Sequence, residues 1–131
     1  MCLITKQKWP KIAWKPITTY KVVYFLEGYQ SFLTMFQSSP IRIGKTYKET
    51  LKNIFGSRKK FSTWLVIALD AYEMYFGLHS YTNEDDSRAI ARRYDKHDTR
   101  IVKCIIPRFS LYWVGVDNDI VSNKLKYVKI L

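Results

Sequence analysis

The sequence predicts an α+β fold: one domain over residues 1–131, with a curved, mainly antiparallel sheet and one or two helices. Three observations point there. Runs of β-branched and aromatic residues recur along the chain, bounded by Gly, Pro, Asn or Asp. One segment carries a complete helix-start signal. The length of 131 residues, 47% of them hydrophobic, supplies a single core.

The first strand is read in "ITTYKVVYFLEG", closing in a turn at Glu27-Gly28. A second strand or irregular edge follows in "YQSFLTMFQ". In "SSPIRIGKTYKE", turn chemistry at Ser38, Ser39 and Pro40 precedes a short alternating piece and a turn at Gly44. Phe61, Trp64, Leu65, Ala68, Leu69 and Tyr72 share one helical face, which favours a helix over Ser62 to Asp70, although the same apolar run also fits a buried strand. Asp70 and Glu73 break that run well short of a membrane span. From Tyr72 the aromatic alternation predicts a strand. Thr82 is placed to cap a helix, with Asp85 reaching back to it; Glu84, Asp85 and Asp86 suit the helix start, and Arg92, Arg93 and Lys96 its end. "RIVKCIIP" reads as a buried strand stopped by Pro107, "SLYWVGV" as another, and "DND" as a turn into the closing strand "KLKYVKIL".

The net charge is +11 and the excess is lopsided. Residues 1–60 carry 12 Lys and Arg against 2 Asp and Glu, whereas residues 61–102 carry 5 against 7. Such a distribution favours a phosphate-bearing partner, with a merely solubilising surface as the rival reading. Two cysteines make no disulfide framework, and with no apolar leader in view the expectation is a cytoplasmic protein with no membrane partner.

Neither a P-loop nor a dinucleotide glycine pattern is present, and no Cys or His spacing suits zinc, so no cofactor and no metal are expected. A phosphate must then be gripped by side chains. Lys21, Arg42, Lys45 and the "SRKK" cluster at Ser57 to Lys60 supply charge, while Tyr20, Tyr24, Tyr47, Tyr81 and Trp113 supply flat or hydroxylated surfaces. His79 and His97 are the two imidazoles, the minimum for paired acid–base cleavage of a phosphodiester. His79, beside Ser80 and Tyr81, is the stronger candidate; His97 in "DKHDT" suits a helix end without any function. Cys2 would become an amino-terminal nucleophile after removal of Met1, against a default of simple packing.

Several segments together resemble small proteins of tailed phages and gut Bacteroidota. They are "MCL", "YKVV" at Tyr20 to Val23, "GLHSY" at Gly77 to Tyr81, "IPRFSLYWVG" at Ile106 to Gly115, and "SNKL" at Ser122 to Leu125. Leu78 stands where that pattern has an aromatic residue. The resemblance implies a phage-type accessory protein, and origin with charge together suggest an anti-defence role. The leading expectation is capture of a small anionic ligand, such as a cyclic or ADP-ribose-derived nucleotide. An enzymatic version adds metal-independent phosphodiester cleavage, with His79 and Ser80 at the reacting group and Lys21 stabilising developing charge. The alternative is a nucleic-acid binder, or an inhibitor of a host nucleic-acid-handling complex, acting through the lysine-rich first half. Either reading leaves room for a homo-oligomer.

Overall fold

The β-branched and aromatic run of the first predicted strand extends without interruption from Ile17 to Leu26, ten residues with no Gly or Pro to break them. Around it the computed structural model describes residues 3–26, 31–34, 40–57, 59–60, 72–74, 76–93 and 98–131. In chain order the elements are β1 (Leu3–Thr5), β2 (Lys11–Ile12), β3 (Ile17–Leu26), β4 (Ser31–Thr34), β5 (Pro40–Ile41), β6 (Thr46–Lys48), α1 (Leu51–Ser57), β7 (Lys59–Lys60), β8 (Tyr72–Met74), β9 (Leu78–Tyr81), α2 (Glu84–Arg93), β10 (Thr99–Ile106), β11 (Leu111–Val114), β12 (Asp119–Ser122) and β13 (Lys124–Ile130).

Every ladder among the described residues is antiparallel. One sheet follows the order β2-β11-β12-β9-β3-β10-β13-β6, with β4 also on β3 and β5 on β4; a smaller sheet is β1-β8-β7. The ladder between β3 and β10 runs unbroken from Thr99↔Tyr24 to Ile106↔Ile17 and stops at Pro107, which has no N–H to give. Asn123 alone separates β12 from β13. Its Oδ1 accepts from Leu111 N–H at 2.9 Å and its carbonyl from Glu49 N–H at 2.8 Å. The hydrogen-bonded path β12-β9-β3-β10-β13 therefore begins and ends on neighbouring stretches of chain.

Directly opposed residues of antiparallel strands share a face, so the register divides the core. On one face Val23, Val102, Cys104, Ile106, Ile120, Leu125 and Tyr127 form one buried cluster with Ala13 and Ile41. On the other, Trp113 and Val121 pack with Leu3, Met74 and Ile54 beneath α1. Neighbouring residues Ile120 and Val121 go to different clusters, and all four residues of β12 are buried. Helix α2 lies against β3 and β10.

The molecule is one small, mostly antiparallel domain, but richer in strand than an α+β reading implies. Its two described helices span only 7 and 10 residues. The segment "TLKNIFGS", not read as a helix from the sequence, holds α1, capped where Asn53 N–H donates to Thr50 Oγ1 at 3.2 Å. Helix α2 starts one residue later than the spacing predicted. Asn83 Oδ1 accepts from Asp86 N–H at 2.8 Å, and Asn83 Nδ2 donates to the Asp86 carboxylate at 2.8 Å. Thr82 is still tied to the strand region, its N–H donating to Asn118 O at 2.9 Å. The predicted helix over Ser62 to Asp70, the turn residues Glu27, Gly28, Ser38 and Ser39, and Lys96 lie outside the described residues.

Candidate functional site

Register decides which predicted site residues meet. Tyr20 opposes Tyr81, Tyr81 opposes Asp119, and His79 opposes Val121, which opposes Trp113. Tyr20, Tyr81 and His79 thus share the face of Trp113, and all three are half-buried. Lys21 and Ser80 are each the next residue along their strands and face the opposite way, with Val102 and Ile120 as their neighbours. For Lys21 to stabilise charge developing at a group on which His79 acts, the two would have to work across the sheet. Trp113 is fully buried and packs edge-on against Phe55 at 5.5 Å, which leaves no ring face for a ligand base.

Arg42 and Lys45 are exposed at the Gly44 turn, which is hydrogen-bonded to β13 through Gly44 N–H and Tyr127 O at 2.6 Å. Lys45 Nζ lies 5.1 Å from the centre of the Tyr47 ring. Cys2, Arg58 and His97 lie outside the described residues. Among those described, no three His, Cys, Asp or Glu residues gather as metal ligands.

A different set of side chains does gather, at the β2 edge of the large sheet. Gln7 fixes the backbone there: Nε2 donates to Trp9 O at 2.8 Å and to Tyr112 O at 3.0 Å, while Oε1 accepts from Val114 N–H at 3.2 Å. Lys11 and Ile12 then pair with Tyr112 and Leu111. Ala13 N–H donates to Ser110 O at 2.9 Å, and Phe109 N–H donates to Ala13 O at 2.6 Å. With its backbone held, this segment turns large rings outward: Trp9 is 63% exposed, Trp14 67% and Phe109 59%. Trp14 and Phe109 meet edge-on at 6.2 Å. The Arg108 guanidinium sits 4.6 Å above Phe109, and Lys8 Nζ 5.7 Å from the Trp9 ring. Lys6, Lys8, Lys11, Lys15 and Arg108 are all exposed, and no acid occurs before Glu27.

Phe109 is held at φ 69° in the turn Pro107–Ser110, closed by Ser110 N–H to Pro107 O at 3.1 Å. That turn position favours Gly or Asn, and another residue there costs about 1–2 kcal/mol. Strain that presents an apolar ring to water is a pointer to function.

A second feature is a groove of about 520 Å³ between α2 and the start of β10, lined by Arg88, Ala91, Arg92, Asp98, Thr99, Arg100, Ile101 and Leu131. Arg88 pairs with Glu84 and Arg100 with Asp98, in contacts about half exposed. Arg92 has no acidic partner among the described residues.

Trp9, Trp14 and Phe109 are not among the residues singled out from the sequence. The signal for the two tryptophans lies in "TKQKWPKIAWKP", where lysines and tryptophans interleave without an acid. Of the groove arginines, Arg92 reads in the sequence as helix-end electrostatics and Arg88 and Arg100 are not singled out; nothing local there joins α2 to β10. No helix among the described residues is long and apolar enough to cross a membrane. No protein-family model matches the chain, and neither a curated protein nor a solved structure matches it.

Proposed function

We propose that the protein binds single-stranded nucleic acid along the β2 edge, with Trp9, Trp14 and Phe109 as stacking surfaces and the adjacent lysines and Arg108 as phosphate contacts. The observation that carries this is the pair of two-thirds-exposed tryptophans on a hydrogen-bonded, acid-free basic backbone. Stacking on an exposed ring is worth about 1–3 kcal/mol per base and tolerates any sequence. Point charges along the strand add affinity without specificity. A sheet curved around its buried cluster would turn this edge outward. The phage-type role implied by the short motifs fits such an activity, whether the protein coats a strand or blocks a host complex that handles it.

A second reading has its own support. The arginine groove has the volume of a small-ligand pocket, and Arg92 lacks an acid among the described residues. Its two exposed ion pairs are each worth about 0–1 kcal/mol, so a phosphate displaces their carboxylates cheaply. A compact nucleotide would sit there, with or without turnover.

Fluorescence anisotropy of labelled single-stranded RNA and DNA, duplex and mononucleotides at two salt concentrations separates the readings. Strand binding predicts a log–log salt slope of roughly −2 to −3.5 for three to five phosphates. It also requires loss of affinity in Trp14→Ala. Tight, salt-insensitive binding of a mononucleotide, lost in Arg92→Ala, would favour the groove instead.

A further inference from the structure

The buried-cluster face of β3 carries a cation that neither reading above uses. Lys21 opposes Val102 on one side. On its other side β3 meets β9 at Tyr20↔Tyr81 and, among the described residues, β4 from Val23↔Thr34 to Leu26↔Ser31. Continuing the Tyr20–Tyr81 register by one step sets Ser80 across from Lys21, with both side chains on the same face. Thr19 shares that face too, opposite Cys104.

Thr19 and Ser80 are 0% and 1% exposed, and neither hydroxyl has a hydrogen-bond partner among the described residues. Lys21 also lacks a hydrogen bond or ion pair among them, and it keeps partial contact with solvent. Three donor-bearing groups therefore lie on one face, beside the apolar cluster of Val23, Val102 and Cys104, with no negative charge among the described residues to complement the ammonium. In such surroundings a cation attracts an anion with little screening, and unused hydroxyls are costly.

We propose that Lys21, Thr19 and Ser80 form a seat for a small monovalent anion, a halide or the carboxylate of a compact acid. The ammonium supplies the counter-charge and the two hydroxyls donate to the bound ion. One cation balances one negative charge, so phosphate dianions are disfavoured. The seat lies on the opposite face from His79 and does not depend on nucleic-acid binding.

Thermal unfolding of the whole protein at constant ionic strength tests this, with gluconate exchanged for chloride, formate or phosphate. At roughly ten times Kd, chloride or formate should raise the midpoint by about 4–7 °C, and phosphate by less. Lys21→Met should abolish the response and Ser80→Ala should at least halve it. On wild-type protein with ¹³C-methylated lysines, the Lys21 resonance should titrate at higher pH in formate than in gluconate, the other lysines staying put. The proposal is overturned if Lys21→Met responds to anions as wild type does, or if the Lys21 resonance titrates alike in both salts. Should Lys21→Met not fold, an undiminished anion response in Ser80→Ala, or a Lys21 titration in the labelled wild-type protein that ignores formate, overturns it equally.

Discussion

Burial pushes the Lys21 ammonium down to about 8, partly opposed by the Cys104 thiol, and burial pushes that thiol up to about 12, partly opposed by Lys21. A lysine with a lowered value binds its proton more weakly folded than unfolded. At pH 7, below both values, the full penalty applies, on the order of 2–3 kcal/mol, and it is relieved as pH rises from 8 towards 10.5. Cys104, and Tyr127, whose hydroxyl burial also raises, work the other way: the unfolded groups ionise from pH 9–10 upward while the folded ones stay neutral. Urea unfolding in gluconate should therefore show stability climbing above pH 8 and levelling or falling above about 9–10. Lys21→Met should be more stable than wild type at pH 7 and lose that advantage by pH 10. Phe109 offers a second contrast. Phe109→Gly releases the strain at φ 69°, so its unfolding midpoint should hold or rise, while strand affinity falls about tenfold with the lost stacking face. Residue types at these positions were legible in the sequence. That Lys21 sides with Ser80 and not His79 was not, because a one-residue step in register reverses every side chain.

Elements were legible where their signals were local. The strands at Ile17–Leu26, Thr99–Ile106, Leu111–Val114 and Lys124–Ile130 lie where β-branched runs and Pro107 place them. The α2 start was off by one because Thr82-x-x-Asp85 and Asn83-x-x-Asp86 fit the same capping pattern, and only the Thr82 bond to Asn118 O decides between them. Asn83→Ala should cost about 1 kcal/mol in chemical unfolding, whereas Thr82→Ala should cost less. Gly77 marks a tighter constraint between β8 and β9. Its φ is +115°, and a Cβ there would stand 2.3 Å from Val121 Cγ1, a buried atom of the cluster beneath α1. Gly77→Ala should destabilise by more than about 2 kcal/mol, roughly the sum of backbone strain and overpacking, read from the shift in urea midpoint.

At the scale of the whole molecule, the sequence disclosed how much charge there is and in which half, because charge is additive along a chain. It did not disclose strand order. Placing β9 beside β3, and β2 against β11, joins residues some 60 to 100 positions apart, and no local pattern encodes such pairings. That order brings Arg108 and Phe109 to Trp14 and turns a basic stretch into an edge studded with rings. The most direct measurement is the set of tryptophan indole N–H resonances in a ¹⁵N spectrum, followed as an unlabelled single-stranded oligonucleotide is added. Trp9 and Trp14 should shift first and furthest, while Trp113, sealed against Phe55, should stay in place. Saturating oligonucleotide that left the Trp9 and Trp14 signals unmoved would contradict the assignment of the β2 edge as the binding surface.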